Sequence, residues 1–390
     1  MNIAVLKEIK VDENRVSLQP FQVSELVKFG HKVYVETNAG LNAGFSDLEY
    51  ESNGALIVDK YTALNNSELI LKVKAPLEVE YTDYESNQTL FTYLHFDENI
   101  PAEQINKLIS SGFTGIAYEW VGKDNDFPLL HPMSRLTGYL FAQKSSELLS
   151  KYKGKLGGKY ESEHVGANVL IIGLGTIGMS AFKYFYDNKF NITLVDKNID
   201  TINHRLNSRF NTNSINYIGD VNLIKFDTSS PENTKKTIDN NMNSYDIILN
   251  CAVRRKDLLK SKMEYLINKE MISKMQNGSV VCDTTACDKD LIETCISSSE
   301  LEKIDIIEGI VHYNCDHIPS YVANTSTKLL TEQTFKYVLL IANNGIKHTI
   351  KTDEYFRNGV SCKDGFITHK YSAEKKNLLN NYKDILELIK

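Results

Sequence analysis

The chain of 390 residues is long enough for two domains, and its hydrophobic share of 42% suits sizeable cores but is too small for a membrane protein. No apolar run reaches the roughly 20 residues that a spanning helix needs, and a net charge of −6 without a basic block argues against nucleic acid as the main partner. The N-terminus lacks a signal-peptide pattern, and the spacing of the six cysteines fits neither CxxC pairs nor a zinc site. We therefore expect a cytoplasmic protein with reduced thiols and without a bound metal.

Strand and helix patterns alternate through the first 120 residues. The predicted strands are 3–6, 32–36, 69–74, 89–94 and 115–118, and the predicted helices are 20–29 and 102–110. Such alternation predicts a parallel sheet covered by helices, and therefore an α/β fold.

A glycine-rich turn follows a long amphipathic helix predicted at 136–151. The strand 169–172 runs into Gly173, Gly175 and Gly178, and a helix begins inside this motif. The first glycine permits a tight turn, the second lets the backbone approach a pyrophosphate, and the third lets helix and strand pack closely. The N–H groups at the helix N-terminus would face the phosphates.

The next predicted strand, 191–195, ends in Asp196, about 20 residues after the turn, where a carboxylate can bind the ribose 2′-hydroxyl. The order of strand, turn, helix and acid predicts a Rossmann domain. NAD is favoured over NADP, because Asp196 would repel a 2′-phosphate. The pattern continues through predicted strands near 246–252 and 279–283 and a helix at 326–344. We expect ligands at the carboxyl ends of such strands.

Ordered segments along nearly the whole chain resemble alanine dehydrogenase and its relative, the α subunit of the proton-translocating transhydrogenase. They are KEIK at 7–10 with ENRV at 13–16, LKVKAPL at 71–77, LFTYLH at 90–95, AYE at 117–119, PLL and PMS at 128–134, GIVHY at 309–313 and TST at 325–327. The resemblance implies two Rossmann-like domains, with the NAD-binding domain at 134–314 inserted into a discontinuous substrate domain of 1–133 and 315–390. It also implies a cleft for substrate and nicotinamide, and alanine dehydrogenases form homo-oligomers.

The same resemblance assigns the chemistry to three residues. Arg15 would bind the substrate carboxylate, since a planar guanidinium meets a carboxylate through two bonds. Lys74 would bind the carboxylate or carbonyl oxygen, with Lys72 as a competing choice. His95 would be the acid and base, because an imidazole exchanges protons near neutral pH. We assign cofactor binding to Ser134, Gly173, Gly175, Thr176, Ile177, Gly178, Asp196, Ala252 and Val253.

Two segments depart from the alanine dehydrogenase pattern. The family's active-site aspartate lies in a DxAxDxGG motif, but residues 283–290 read DTTACDKD, so that Cys287 takes the position and Asp288 falls one later. Asp288 is either the catalytic replacement or a loop residue. The segment 316–320 (DHIPS) places His317, a candidate substrate-binding residue, where the family has asparagine, and it resembles fungal saccharopine dehydrogenase. Since that enzyme is typically a monomer, a homo-oligomer and a monomer both stay open.

Basic residues at 254–256 and Arg135 add charge where the family is apolar or acidic. We therefore expect an NAD-dependent amino-acid dehydrogenase, with alanine and pyruvate as the family default. The alternatives are saccharopine-like or opine-type reduction of an imine between a 2-oxo acid and an amino acid, and a catalytically inactive nucleotide-binding protein.

Overall fold

The computed structural model describes residues 1–124, 126–162, 164–254 and 258–389, and it divides into two compact units. The terminal unit comprises Met1–Met133 and Pro319–Lys390, and the inserted unit comprises Ser134–Ile318. The inserted unit therefore continues four residues beyond the border expected at 314. Within the described ranges, no helix is both long enough and apolar enough to cross a membrane.

Fifteen strands occur among the described residues, numbered here in chain order. They are β1 Asn2–Val5, β2 Lys32–Glu36, β3 Leu56–Val58, β4 Leu69–Leu71, β5 Thr89–Thr92, β6 Thr114–Ala117, β7 Asn168–Ile172, β8 Asn191–Asp196, β9 Asn222–Lys225, β10 Ile247–Asn250, β11 Val280–Asp283, β12 Asp305–Ile307, β13 Ile310–Tyr313, β14 Val360–Lys363 and β15 Phe366–Ile367.

The α-helices of the described residues follow the same numbering. They are α1 Pro20–Lys28, α2 Asp47–Ser52, α3 Lys60–Asn65, α4 Ala102–Ile109, α5 His131–Lys153, α6 Thr176–Asp187, α7 Ile202–Phe210, α8 Pro231–Asp239, α9 Lys269–Ile272, α10 Ala323–Asn344, α11 Ile346–Thr352, α12 Glu354–Asn358, α13 Lys370–Lys375 and α14 Ile385–Leu388.

The terminal unit contains a sheet in the order β15-β14-β6-β5-β4-β1-β2-β3, parallel from β6 to β3 and antiparallel at β14 and β15. Its central strands β4, β5 and β6 are buried at every position and therefore on both faces, as is typical of a parallel sheet, although β5 and β6 contain threonines.

The strands β4 and β5 end earlier than their apolar patterns predicted, at Leu71 and Thr92 rather than at 74 and 94. The N–H groups of Lys72 and Tyr93 still donate to the carbonyls of Phe91 and Val73 across the two strands, at 3.3 and 3.2 Å. Carboxylates from other segments take up N–H groups just beyond them. Glu8 Oε1 accepts the N–H of Val73 at 2.6 Å, and Glu119 Oε1 accepts the N–H of His95 at 2.6 Å. Since these amides no longer bond to a neighbouring strand, the sheet ends there.

The inserted unit contains a second sheet, in the order β12-β13-β11-β10-β7-β8-β9, in which β12 is antiparallel to β13 and the other pairs are parallel. The chain runs outward from β7 through β8 to β9 and then returns to β10 on the other side of β7. This reversal makes the carboxyl ends of β7 and β10 a topological switch point, where ligands of open α/β sheets bind.

Candidate functional site

A group of ionisable residues follows the carboxyl ends of four adjacent parallel strands of the terminal unit. The order β6-β5-β4-β1 places the following segments at one edge of the sheet. They contribute Glu8, Glu13 and Arg15 after β1, Lys72 and Lys74 after β4, Tyr93, His95 and Glu98 after β5, and Glu119 after β6. The structure thus brings together all three residues that the sequence assigned to substrate chemistry in this unit.

Arg15 is 3% exposed and is paired with the buried Glu13. Its Nε donates to Glu13 Oε1 at 2.7 Å and its Nη2 to Glu13 Oε2 at 2.6 Å, while Nη1 lies 3.3 Å from Met133 Sδ. Burial by itself would lower the pKa of Arg15, but the Glu13 carboxylate raises it above the ordinary value. The guanidinium therefore stays charged in a fixed plane.

The two candidate lysines have different surroundings. Lys72 is 1% exposed, and its Nζ lies 2.9 Å from Glu80 Oε1 and 3.4 Å from Glu8 Oε2. Lys74 is half-buried, and its charge lowers the pKa of His95. Lys72 is thus a member of a buried ion cluster, whereas Lys74 acts electrostatically on the predicted catalytic histidine.

His95 has an unusual backbone, with φ of 52°, and its imidazole stacks on the Tyr93 ring at 5.4 Å between centroids. Its Nδ1 lies 3.0 Å from Glu98 Oε1. Burial is the largest effect and lowers the pKa of His95, and the charge of Lys74 lowers it too. The carboxylates of Glu98 and Glu119 raise it, and the net result is a pKa above the ordinary value. The left-handed backbone is held by Glu119, whose carboxylate accepts the N–H groups of Leu94 and His95.

The glycine turn of the inserted unit has the local geometry that the motif predicts. Gly173 has φ of +85°, and a Cβ on Gly178 would lie 2.0 Å from the carbonyl oxygen of Gly173. A Cβ on Gly175 would meet no atom within 4 Å. Gly173 and Gly178 are therefore required by the fold, whereas Gly175 leaves open space at the N-terminus of α6. Thr176 and Ile177 form the first turn of this helix.

Asp196 ends β8 beside the turn, and both of its oxygens have protein partners. Oδ2 accepts the N–H of Leu174 at 2.8 Å, and Oδ1 accepts Arg205 Nη2 at 2.8 Å. Arg205 Nη1 also donates to the carbonyl of Leu174 at 2.9 Å. Arg205, which the sequence reasoning did not single out, thus fixes both the predicted ribose-binding acid and the turn.

A pocket opens beside this turn, within the inserted unit. Its walls include Gly173, Gly175, Asp196, Ala252 and Val253, five of the nine residues assigned to cofactor binding. Another of the nine, Ser134, is half-buried near the start of α5. The space above Gly175, the N–H groups of α6 and the carboxylate of Asp196 fit a dinucleotide.

Asp288 and Asp283 differ sharply in their surroundings. Asp288 is exposed, and its Oδ1 accepts the N–H and the hydroxyl of Ser297. Its catalytic role stays a prediction. Cys287 is half-buried in the same loop. A buried carboxylate at this edge is Asp283, the last residue of β11, which the sequence reasoning missed although a polar residue ends an apolar strand there.

Cys315, Asp316 and His317 bring a thiol, a carboxylate and an imidazole within 4.8 Å of one another. His317 Nδ1 lies 2.6 Å from Asp316 Oδ1, which is a hydrogen-bond distance. Two ligands on one tetrahedral zinc would lie roughly 3.4 Å apart, given bonds of about 2.1 Å. The geometry therefore fits an oriented histidine better than a metal centre.

The basic loop after β10 is tied to its own unit where the structure describes it. Arg254 Nε donates to Asp290 Oδ1 at 3.1 Å, and its Nη atoms donate to the carbonyls of Met263 and Glu264. These bonds occupy the guanidinium and make Arg254 a link between loops. Residues 255 and 256 of the basic segment lie outside the described residues. Arg135 is exposed on α5.

Comparison with known families and curated proteins gives one consistent result. The profile "Alanine dehydrogenase/PNT, N-terminal domain" matches residues 4–137, and the profile of the corresponding C-terminal domain matches residues 141–370. The chain is 34% identical over 379 residues to the alanine dehydrogenase of Staphylococcus haemolyticus, covering 96% of both chains. It is also 34% identical over 377 residues to that of Bacillus subtilis, covering 96% of this chain and 94% of the other.

Solved structures agree. An L-alanine dehydrogenase superimposes with a TM-score of 0.78 at 29% identity, covering 96% of this chain and 99% of that chain. A transhydrogenase from Sinorhizobium meliloti superimposes with a TM-score of 0.72 at 19% identity, covering 95% and 100%, and at that identity it shows the fold alone. The predicted α/β class with two Rossmann-like domains is confirmed.

Proposed function

Because the chain belongs to the alanine dehydrogenase/PNT family, we propose that it is an NAD-dependent alanine dehydrogenase, which converts alanine reversibly to pyruvate and ammonia. One observation carries this proposal: the similarity to curated alanine dehydrogenases extends over 94% or more of both chains. These relatives do not favour the saccharopine-like, opine-type or inactive alternatives.

NAD is the cofactor that this family membership implies. When bound, its nicotinamide accepts the hydride that leaves Cα of alanine. The open space at Gly175 and the N–H groups at the start of α6 support pyrophosphate binding. The carboxylate of Asp196 supports NAD rather than NADP, because a 2′-phosphate would be repelled.

The residues of the terminal unit supply the remaining chemistry in this proposal. Arg15 binds the substrate carboxylate, supported by its fixed, charged and buried guanidinium. Lys74 polarises the C=O bond of pyruvate or the C=N bond of the imine. Its electrostatic effect on His95 supports this role. His95 takes a proton from the water that attacks the imine and returns it to the leaving ammonia.

A substrate screen tests the proposal. NADH oxidation is measured with pyruvate plus ammonium and compared with pyruvate plus lysine or ornithine. Alanine dehydrogenase activity predicts faster turnover with ammonium. The reverse ranking would favour formation of a secondary amine, and NADH binding without turnover on any pair would favour the inactive alternative. The cytoplasmic location and the homo-oligomeric state stay predictions.

A further inference from the structure

A buried hydrogen-bonded chain crosses the carboxyl ends of three neighbouring strands of the inserted unit. Asn250 ends β10, Asp283 ends β11, and Asn314 follows β13, and each is at most 6% exposed. Asn250 Nδ2 donates to Asp283 Oδ2 at 3.0 Å, and the N–H of Asp283 donates to Asn314 Oδ1 at 2.9 Å. These hydrogen bonds lie at the same edge of the sheet as the glycine turn at residues 173–178.

The carboxylate of Asp283 sets the direction of the Asn250 amide. Its other oxygen, Oδ1, accepts the N–H of Thr285 at 2.9 Å and the hydroxyl of Thr285 at 2.6 Å. An ionised carboxylate only accepts hydrogen bonds, so the NH₂ group of Asn250 must point towards it. The amide oxygen of Asn250 then faces the opposite way and accepts the N–H of Ala252 at 3.2 Å.

Ala252 lies directly against the glycine turn. A Cβ on Gly173 would come within 2.7 Å of the Ala252 Cβ, so these two backbones pack without space for a side chain. Ala252 and Val253 also line the pocket beside Gly175. A change in the orientation of Asn250 would therefore move one wall of that pocket.

We propose that Asp283 is a positioning residue for the cofactor: its ionised carboxylate orients Asn250, and Asn250 holds the turn at residues 251–253 against the glycine motif. This inference rests on the proposed binding of NAD in the inserted unit. Protonation of Asp283 weakens the charge-assisted bond from the Asn250 NH₂ group, and a proton on Oδ2 would meet that NH₂ group, which cannot accept it. NADH binding should therefore depend on whether Asp283 is ionised.

The surroundings of Asp283 place its titration in an accessible range. Burial raises the pKa of Asp283 to about 6, although the bonds from Thr285 and Asn250 oppose this rise. Among the described residues, the charged group that acts on it is Asp290, which raises the pKa further. Three thiols also face it, and burial raises the pKa of each, so that they stay neutral in this range: Cys251, Cys282 and Cys295.

The first experiment measures the dissociation constant of NADH by fluorescence titration from about pH 8 to about pH 5. Because only the ionised form positions the pocket wall, the apparent constant should rise about tenfold one unit below the pKa. Asp283→Asn should bind NADH weakly at every pH and show no such rise. Thermal unfolding, recorded on the same samples, separates this effect from loss of the fold.

Thr285→Val is the sharper variant, because it retains both Asp283 and the shape of the side chain. Removing the 2.6 Å hydroxyl donor raises the pKa of Asp283, so the pH at which NADH binding weakens should move upward. The matched control is Thr234→Val, a buried threonine whose hydroxyl donates to the carbonyl of Lys225. It should leave this midpoint unchanged.

Three outcomes overturn the inference. NADH binding that is independent of pH, or a midpoint that Thr285→Val does not move, removes the role of Asp283 while leaving the proposed function intact. Folded protein that binds no NADH at any pH contradicts the proposed function as well. The inference is supported if the pH midpoint of NADH binding rises in Thr285→Val and does not change in Thr234→Val.

Discussion

Arg15 and Glu13 are joined by two hydrogen bonds, Nε to Oε1 at 2.7 Å and Nη2 to Oε2 at 2.6 Å. Both side chains are almost fully buried, so the pair is desolvated as well as bidentate. A buried guanidinium that is fixed by one carboxylate is positioned to recognise a second, because its plane is set before the ligand arrives. Glu13 therefore positions the residue that we propose to bind the substrate.

We expect Arg15→Lys to raise the KM for pyruvate by about tenfold or more, with a smaller effect on kcat, because an ammonium cannot form the planar fork. Steady-state kinetics with varied pyruvate at saturating NADH and ammonium measure this. Arg357→Lys is the matched control, since the Arg357 guanidinium donates to carbonyls of α11 and lies outside the predicted site. An unchanged KM in Arg15→Lys would contradict the assignment.

The two lysines after β4 should respond differently to removal of the charge. Lys74→Met should abolish most activity with little change in stability, because Lys74 is half-buried and acts on His95. Lys72→Met should lower the free energy of unfolding by about 3–5 kcal/mol, because it leaves Glu8 and Glu80 buried without their partner. Chemical denaturation and turnover, measured on both variants, distinguish them. Equal loss of stability in the two would refute this division.

The acidic limb of the pH profile should report on His95. As the base in alanine oxidation, His95 must be neutral, so kcat/KM should fall as the pH drops through its pKa. Glu98 raises that pKa, and Glu98→Gln should therefore move the acidic limb of kcat/KM to lower pH. A shift to higher pH would show that the sign of this interaction is wrong. His95→Ala should reduce kcat by about 10²–10⁴-fold.

The glycines of the turn offer a test of cofactor binding that separates function from folding. Gly175→Ala should fold normally, since its Cβ meets no atom within 4 Å, but should weaken NADH binding by about tenfold or more because the methyl group blocks the pyrophosphate. Gly178→Ala should instead destabilise the protein, because its Cβ would lie 2.0 Å from the Gly173 carbonyl oxygen. Thermal unfolding and NADH titration of both variants measure this. Unweakened binding in Gly175→Ala would place the pyrophosphate elsewhere.

Local patterns in the sequence were sufficient for the glycine turn and for nine of the described strands, but they did not predict β3, β9, β12, β13, β14 or β15. A buried parallel strand is a continuous apolar run, and the turn depends on residues within six positions of one another. The ends of β4 and β5 were predicted too far along the chain. They depend on carboxylates of Glu8 and Glu119 that come from distant segments, which no local pattern reveals.

The sequence by itself determined the α/β class, the family and the motifs that contain Arg15, Lys74 and His95, because each depends on residue types at short spacing. Only the tertiary structure separated Lys72 from Lys74, and the exposed Asp288 from the buried Asp283. Burial and contacts between distant residues decide whether an ionisable group is paired, solvated or shifted in pKa. Those contacts exist only after the chain has folded.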